Sequence, residues 1–333
     1  MKVRFQTPAV CFLKRNIWLW SLLEARVSIA RVWQNLGALE ISRLARCIRL
    51  LSVVIPALNS AATISGTLSS IFSNETGGET FEVLLVDDGS CDETVDIARR
   101  FPVKIFHCSR RGIGPPRNLG IQKAQGSIVI FTDSDCIVEK DWITKIFTFF
   151  DRHSEADGVG GTVFPYPCCK NRIQELTGKI FVEDQGYPRN VKKIRPGSTQ
   201  GLIFGSNSAY RRSVLVKSGG FIEPGGSNLE LSLRLVANGK NLFFDPEIRV
   251  YHIFPSNLEA IFKQQFRWGA QWTQMKRMHQ VDEGVKEIAY ASYFSVRWFL
   301  SLVPPRDLEK KLLHFFQITS YGLGRIYGFH SEY

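Results

Sequence analysis

At 333 residues, 44% hydrophobic and 22% charged, the chain holds enough apolar material for one large α/β domain with appendages, or for two domains, and its composition excludes wholesale disorder. The formal charge of +11 is concentrated at one end: residues 1–50 carry nine Lys or Arg against Glu24 and Glu40, so the remainder is close to neutral. The charge sign suits nucleic acid, but no nucleic-acid-binding motif accompanies it, and that class is set aside.

In residues 1–49 the basic side chains are interleaved with Trp18, Trp20, Leu22, Leu23, Val27 and Trp33. Such an extension can lie on an anionic membrane surface. A disordered leader, an over-long start or an organelle transit peptide are the alternatives; a secretory signal's unbroken apolar core and cleavage site are missing. Seven cysteines without CxxC pairs indicate neither a zinc site nor a disulfide framework, and point to reduced thiols facing the cytosol.

Regular structure begins at Leu51. Leu51–Ile55 is a continuous apolar run, the pattern of a parallel strand buried on both faces. Ile64, Leu68 and Ile71 mark a helix by their spacing, and Thr76-Gly77-Gly78 ends it. Val83–Val86 is the next strand. Ser90 and Glu93 have capping-box spacing, so a helix is expected toward Arg100. Val103–Phe106 reads as a strand, Arg117–Ala124 as a short helix, and Ser127–Phe131 as a further strand. Repeated strand–helix–strand units predict an α/β fold, a mostly parallel Rossmann-like sheet flanked by helices, with ligands bound outside the carboxyl ends of the strands.

The second half is less regular. Gly201–Ser206 is expected as a strand, the leucines at 229, 231, 233 and 235 as a helix stopped by Gly239, and Ile248–His252 as a strand. Beyond it the chain is aromatic and helical. Ile288–Val303 and Leu312–Phe329 are interrupted by Arg297, His314 and Arg325, and neither offers the ~18 uncharged apolar residues of a spanning helix. They are expected as interfacial helices or as ordinary core helices.

Chemistry collects at the strand tips. Thr132-Asp133-Ser134-Asp135 puts two carboxylates one residue apart at the end of a buried strand, where they can hold Mg²⁺ or Mn²⁺ against a diphosphate. Asp87 and Asp88 end the second strand, where one of them can accept an imide proton of a uracil while Gly89 lets the backbone approach. Arg117 and Asn118 open a short helix facing the same crevice, suited to base or phosphate. Gly112-x-Gly114 lacks the third glycine of a dinucleotide loop.

In order, Ser52-Val53-Val54-Ile55-Pro56-Ala57-Leu58-Asn59, Val86-Asp87-Asp88-Gly89-Ser90, Arg117-Asn118-x-Gly120 and Asp133-Ser134-Asp135 resemble a family 2 glycosyltransferase of GT-A fold. The likeness continues through Gly205-x-Asn207, Gly219-Gly220-Phe221 and Leu231-x-x-Arg234-Leu235 to Gln264-x-x-Arg267-Trp268, an element of membrane-linked polymer-forming members. The resemblance implies an inverting transfer from a nucleotide sugar, often a UDP-sugar, with a divalent metal. It implies that Pro56, Asn59, Asp87, Asp88, Arg117 and Asp133 surround the nucleotide, with Asp135 as principal metal ligand beside Asp133. The expected layout is a basic amphipathic extension over 1–49 and a GT-A domain over 50–255, followed by a helical amphipathic segment over 256–333. Within the GT-A domain, 50–140 forms the nucleotide-binding half and 141–255 the acceptor half. A lipid-linked or polysaccharide acceptor, met peripherally at the cytoplasmic face of a membrane, completes the expectation.

One departure stands out. Where the family places Glu-Asp before the Leu-x-x-Arg-Leu element, with that Asp as general base, this chain has Ser227-Asn228. Asn cannot accept a proton at neutral pH. Glu230 is the nearest carboxylate, although two residues turn it about 200° around the helix, where a packing role is the alternative. Glu183 and Asp184 are other candidates. His252 can reach the metal or leaving phosphate, or serve as a structural histidine. Arg267 and Trp268 can line the acceptor path or pack their helix. A catalytically weak or idle relative that binds a sugar nucleotide or a partner is therefore the second reading.

Overall fold

The computed structural model describes residues 50–109, 112–196, 203, 205–222, 228–278 and 308–330, which belong to one compact unit. The amphipathic extension 1–49, Ser227 and the stretch Ile288–Val303 lie outside the described residues.

The first half is a parallel sheet. Its centre is β1 (Leu51–Ala57), flanked by β2 (Phe81–Asp87) and β4 (Ile128–Phe131), with β3 (Lys104–His107) beyond β2. Alternating side chains of β1 enter two cores. Leu51, Val53 and Ile55 meet Ile64, Leu68 and Ile71 of α1 (Ile64–Phe72), while Val54 packs with Leu84, Val86 and Ile121 on the opposite face. Coverage on both faces is why the strand reads as an unbroken apolar run. Gly120 in α3 (Gly114–Lys123) lies directly on Val54, and a Cβ there would overlap the valine side chain. The parallel register sets Ala57 beside Asp87, and Asp88 N–H donates to the Ala57 carbonyl at 2.9 Å, so the two tips share one edge.

The capping box expected at Ser90 does not form. Ser90 Oγ accepts from Asn59 N–H, and Asp92 Oδ1 takes Thr94 N–H at the start of the short α2 (Thr94–Ala98). Asp92 lies nearer the first turn and its carboxylate is the stronger acceptor.

The second half is mixed rather than parallel. After β5 (Cys136–Val138), α4 (Trp142–Arg152), β6 (Gly158–Pro165), α5 (Arg172–Gln185) and β7 (Lys192–Lys193), the chain forms β8 (Ser208–Arg211), antiparallel to both β4 and β6. Of the strand expected at Gly201–Ser206, the described residues 205 and 206 lie in a turn, and the strand that is described begins at Ser208. Next come α6 (Arg212–Lys217), α7 (Asn228–Ala237), ended by Gly239 at φ +72°, and β9 (Leu242–His252). β9 runs parallel to β6 and antiparallel to β5 and β7. Its pairing with β6 shifts register between Gly161 and Thr162. Buried Asn207 fills that irregularity, donating to the carbonyls of Thr162 and Ile248 at 2.9 Å each and accepting from Trp142 Nε1 at 3.0 Å.

Two long helices close the described chain, α8 (Leu258–Met278) and α9 (Leu308–His330). They approach closely enough that a Cβ on Gly269 or Gly324 would overlap backbone of the other helix. Among the described residues no helix is long and apolar enough to cross a membrane. Leu258 and Phe262 of α8, and Leu312, Leu323 and Tyr327 of α9, are exposed apolar side chains.

Candidate functional site

A cavity of about 590 Å³ opens at the carboxyl ends of β1 and β4 and runs to α8 and α9. It gathers Pro56, Arg117, Asp133, Asp135, Asn228 and His252 at one end, and Arg267 and Trp268 along the other. These residues span more than two hundred positions of sequence, brought together because β1, β4 and β9 deliver their last residues to the same side of the sheet.

The two carboxylates after β4 have different surroundings. Asp133 Oδ1 accepts from Arg117 Nη2 at 2.8 Å; the Arg117 side chain is 8% exposed and Asp133 is 32% exposed. The same guanidinium donates to the Ile113 carbonyl and lies 5.7 Å from the Phe221 ring centre, while its Nε is buried without a hydrogen-bond partner. Asp135 Oδ1 lies 3.3 Å from His252 Nε2, is buried, and has no hydrogen-bond partner. Burial holds the Asp135 carboxyl above its ordinary pKa and Asp133 adds to the effect, while His252 opposes it.

An orphaned carboxylate oxygen facing an imidazole nitrogen fits a divalent cation. Cys136 Sγ is close enough to join Asp135 and His252 around such an ion. Burial, with Asp135 and Asp133 adding, pushes its thiol well up, so it stays protonated and is a poor partner for a hard cation. The donor set is therefore oxygen and nitrogen, suited to Mn²⁺ or Mg²⁺.

The tip of β2 lies outside the cavity lining. Asp87 accepts Ser90 N–H on Oδ1, and its Oδ2 lies 3.3 Å from His107 Nδ1. Asp88 Oδ2 accepts Gly112 N–H at 3.0 Å, and its Oδ1 is buried without a hydrogen-bond partner. Asn59, at φ +51°, accepts Cys91 N–H on its side-chain oxygen at 2.9 Å and links the tips of β1 and β2.

Two expected site residues are used elsewhere. Asn118 spends both ends of its amide on the backbone of Phe221, accepting its N–H and donating to its carbonyl at 2.8 Å each. It clamps the Gly219-Gly220-Phe221 turn and is not in the cavity lining. Glu230 is fully buried and grips Arg234 with both carboxylate oxygens, at 2.7 and 3.1 Å. Arg234 also donates to the carbonyls of Ser218 and Gly220. The catalytic expectation for Glu230 is therefore corrected to an ion pair supporting the same turn. Glu183 pairs with Lys310 and Asp184 approaches His314, so these two carboxylates tie α5 to α9.

Asn228 does reach the cavity. It is 5% exposed, donates from Nδ2 to Ser208 Oγ at 2.9 Å, and leaves Oδ1 buried without a hydrogen-bond partner. Sequence reasoning missed the apolar wall beyond it, formed by Phe181 of α5, Phe254, Trp272 and Met275 of α8, and Tyr321 of α9. A signal was present: Gln264, Trp268, Gln271 and Met275 recur at helical spacing and face one way.

A doubly covered sheet with acidic strand tips and a cavity extending toward C-terminal helices defines a GT-A type domain. The match to solved structures agrees. A mannosyltransferase from Pyrobaculum calidifontis, in complex with GDP-Man and Mn²⁺, superposes with a TM-score of 0.52 at 17% identity, covering 84% of this chain and 73% of that one. Staphylococcus aureus TarS 1-349 in complex with UDP-GlcNAc gives 0.52 at 17% identity, covering 83% and 90%. Residues 52–219, just over half of the chain, match Glycosyl transferase family 2, and the chain belongs to that family. Among curated relatives, the glycosyltransferase AglE of Haloferax volcanii is 34% identical over 152 residues, 43% of this chain and 49% of the relative. The poly(ribitol-phosphate) beta-N-acetylglucosaminyltransferase TarS of Staphylococcus aureus is 30% identical over 138 residues, 38% of this chain and 24% of the relative. The chain thus aligns with a quarter to a half of the length of these relatives.

Proposed function

We propose that this protein transfers a sugar, with inversion, from a nucleotide diphosphate sugar to a lipid-linked or glycan acceptor, using a divalent metal. The observation that carries the reading is the pairing of Asp135 with His252 at the cavity mouth, beside the Arg117–Asp133 ion pair. Asp135 and His252 would hold Mn²⁺ or Mg²⁺, which supplies charge neutralisation for the leaving diphosphate. Arg117 fixes Asp133 and presents a second cation to the phosphates. Pro56, Asn59, Asp87 and Asp88 form the nucleoside side, where the unpartnered Asp88 Oδ1 is an acceptor suited to a base N–H such as the imide of a uracil. Arg267 and Trp268 line the acceptor path, and residues 141–255 form the acceptor half of the 50–255 domain. The exposed apolar side chains of α8 and α9, with the basic extension 1–49, support peripheral attachment at the cytoplasmic face of a membrane.

Calorimetric titration of UDP-, GDP- and TDP-sugars with and without Mn²⁺, into wild type and Asp135→Asn, tests the donor site. Metal-dependent binding lost in the variant is the expected result; a folded wild type that binds none of them sinks the proposal. Asn228 at the position of the family's base favours a second reading, a weak or idle relative. Wild-type turnover abolished by Asp135→Asn removes that reading.

A further inference from the structure

We infer that the nucleophile accepted here is already an anion: a phosphate monoester on an apolar chain, rather than a hydroxyl. The inference rests on the nucleotide-sugar reading and names the acceptor class for the same cavity. A hydroxyl nucleophile needs a base, and the residue standing at the base position, Asn228, cannot act as one. Among the described residues, no other carboxylate is placed to replace it. The acids lining the cavity are Asp133 and Asp135; the first is paired with Arg117, and the second faces His252 on the diphosphate side. Glu230, Glu183 and Asp184 are engaged by Arg234, Lys310 and His314.

A guanidinium borders the neutral amide instead, and a second one lies further along the cavity. A Cβ on Gly205 would lie 2.8 Å from Arg117 Nη2 and 3.0 Å from Asn228 Oδ1, so guanidinium and amide meet across that glycine. Arg267 lines the same cavity and, among the described residues, makes no ion pair or hydrogen bond. An aspartate at 228 would add a third carboxylate and repel an anionic acceptor; the amide does not. Beyond the cations, Phe181, Phe254, Trp272 and Met275 form an apolar wall suited to a hydrocarbon chain. A lipid phosphate matches both ends of this arrangement. The second ionisation of a phosphate monoester falls near about pH 6, so the dianion is the main species at neutral pH. One of its oxygens attacks the anomeric carbon, and the bond from that carbon to the diphosphate oxygen breaks. The electron pair leaves on the nucleoside diphosphate, and no proton has to be removed.

The test offers farnesyl phosphate, farnesol and octyl glucoside to the full-length wild type, with whichever sugar nucleotide binds in calorimetry. Transfer to farnesyl phosphate should exceed transfer to either hydroxyl acceptor by at least about 100-fold, the low end of what a missing base costs a hydroxyl reaction. Its kcat/KM should level off above about pH 7, once the phosphate is fully ionised. Arg267→Gln should raise KM for farnesyl phosphate about tenfold more than KM for the donor, with Arg267→Lys recovering part of the loss. Equal or faster transfer to farnesol or octyl glucoside would overturn the inference. So would donor binding without transfer to farnesyl phosphate, or an Asn228→Asp chain that transfers faster to it. Should no sugar nucleotide bind, the donor reading itself fails, a result distinct from donor binding with the wrong acceptor preference.

Discussion

Arg117 Nη2 and Asp133 Oδ1 meet at 2.8 Å, and this contact gives the two carboxylates of the Asp133-Ser134-Asp135 run different roles. Asp133 is neutralised by a guanidinium from α3, while Asp135, two residues on, turns to His252 at the end of β9. One ion pair thereby ties α3 to the turn after β4 that carries Asp135. Arg117→Ala should cost about 1–3 kcal/mol of stability, because it strands Asp133 and a partly buried site, and should weaken donor binding about tenfold or more. Arg117→Lys should recover charge but little of the affinity, since an ammonium cannot reproduce the planar fork. Denaturant midpoints and calorimetry separate the two effects.

The raised pKa of Asp135 gives the proposed metal binding a pH signature. Burial is the main cause, Asp133 adds to it, and His252 opposes it. Between the ordinary and the raised value, the folded metal-free protein keeps a proton that the unfolded chain has lost. Its stability therefore falls as pH rises through that window. A cation needs the ionised carboxylate and displaces the proton, so its stabilising effect grows with pH over the same window. Thermal melts with and without Mn²⁺ should show the larger Tm increment at about pH 7.5 than at about pH 5. Asp135→Asn should show little increment at either.

Glu230 is a carboxylate that holds structure and does not line the cavity. Its ion pair with Arg234 is buried, and Arg234 in turn carries the carbonyls of Ser218 and Gly220. Glu230→Gln should cost about 3–5 kcal/mol, the usual penalty for breaking a buried pair. The pH dependence of whatever activity remains should match that of wild type. A shifted or missing pH limb in a folded variant would return Glu230 to the chemistry.

Asn118 makes a parallel case from the other side of the same turn. Its amide holds Phe221, whose ring lies edge-on to Phe131 at 5.3 Å and under the Arg117 guanidinium. Asn118→Ala leaves two backbone groups without their partner and should destabilise by about 1–3 kcal/mol. Donor affinity should fall by less than in Arg117→Ala, because Asn118 acts through Phe221 rather than on the ligand. Comparing the two variants by calorimetry at a temperature where both are folded checks the order.

What the sequence disclosed follows from these particulars. The tips of β1, β2 and β4 were readable because a strand buried on both faces leaves an unbroken apolar run, and the polar residues that end it stand out. Which way a polar residue faces was harder to read. Arg117 and Asn118 are neighbours on one helix, but about 100° of rotation sends one to the cavity and the other to the Phe221 turn. About 200° separates Asn228 from Glu230, and that offset, readable in advance, does put them on different sides of α7. The antiparallel β8 was misplaced by several residues because Gly205 and Asn207 interrupt the apolar pattern. Asn207 is spent on a sheet irregularity that local sequence does not announce.

The apolar wall of the cavity depends on two helices distant in sequence, and their contact is set by glycine. Gly269 faces the backbone of Tyr321, and Gly324 faces the backbone of Phe266; a Cβ at either would overlap its neighbour. Tyr321, one turn before Gly324 on α9, is itself part of the cavity lining. Gly324→Leu must therefore push α9 away from α8 and carry Tyr321 with it. Overpacking of this kind costs about 1–3 kcal/mol, and the displaced wall should damage the acceptor side first. The expected result is sugar-nucleotide binding within about twofold of wild type together with at least a tenfold loss of transfer to acceptor, since 1.4 kcal/mol corresponds to about a factor of ten. Parallel loss of donor binding in a folded Gly324→Leu protein would mean that the helices support the nucleotide site rather than the acceptor path.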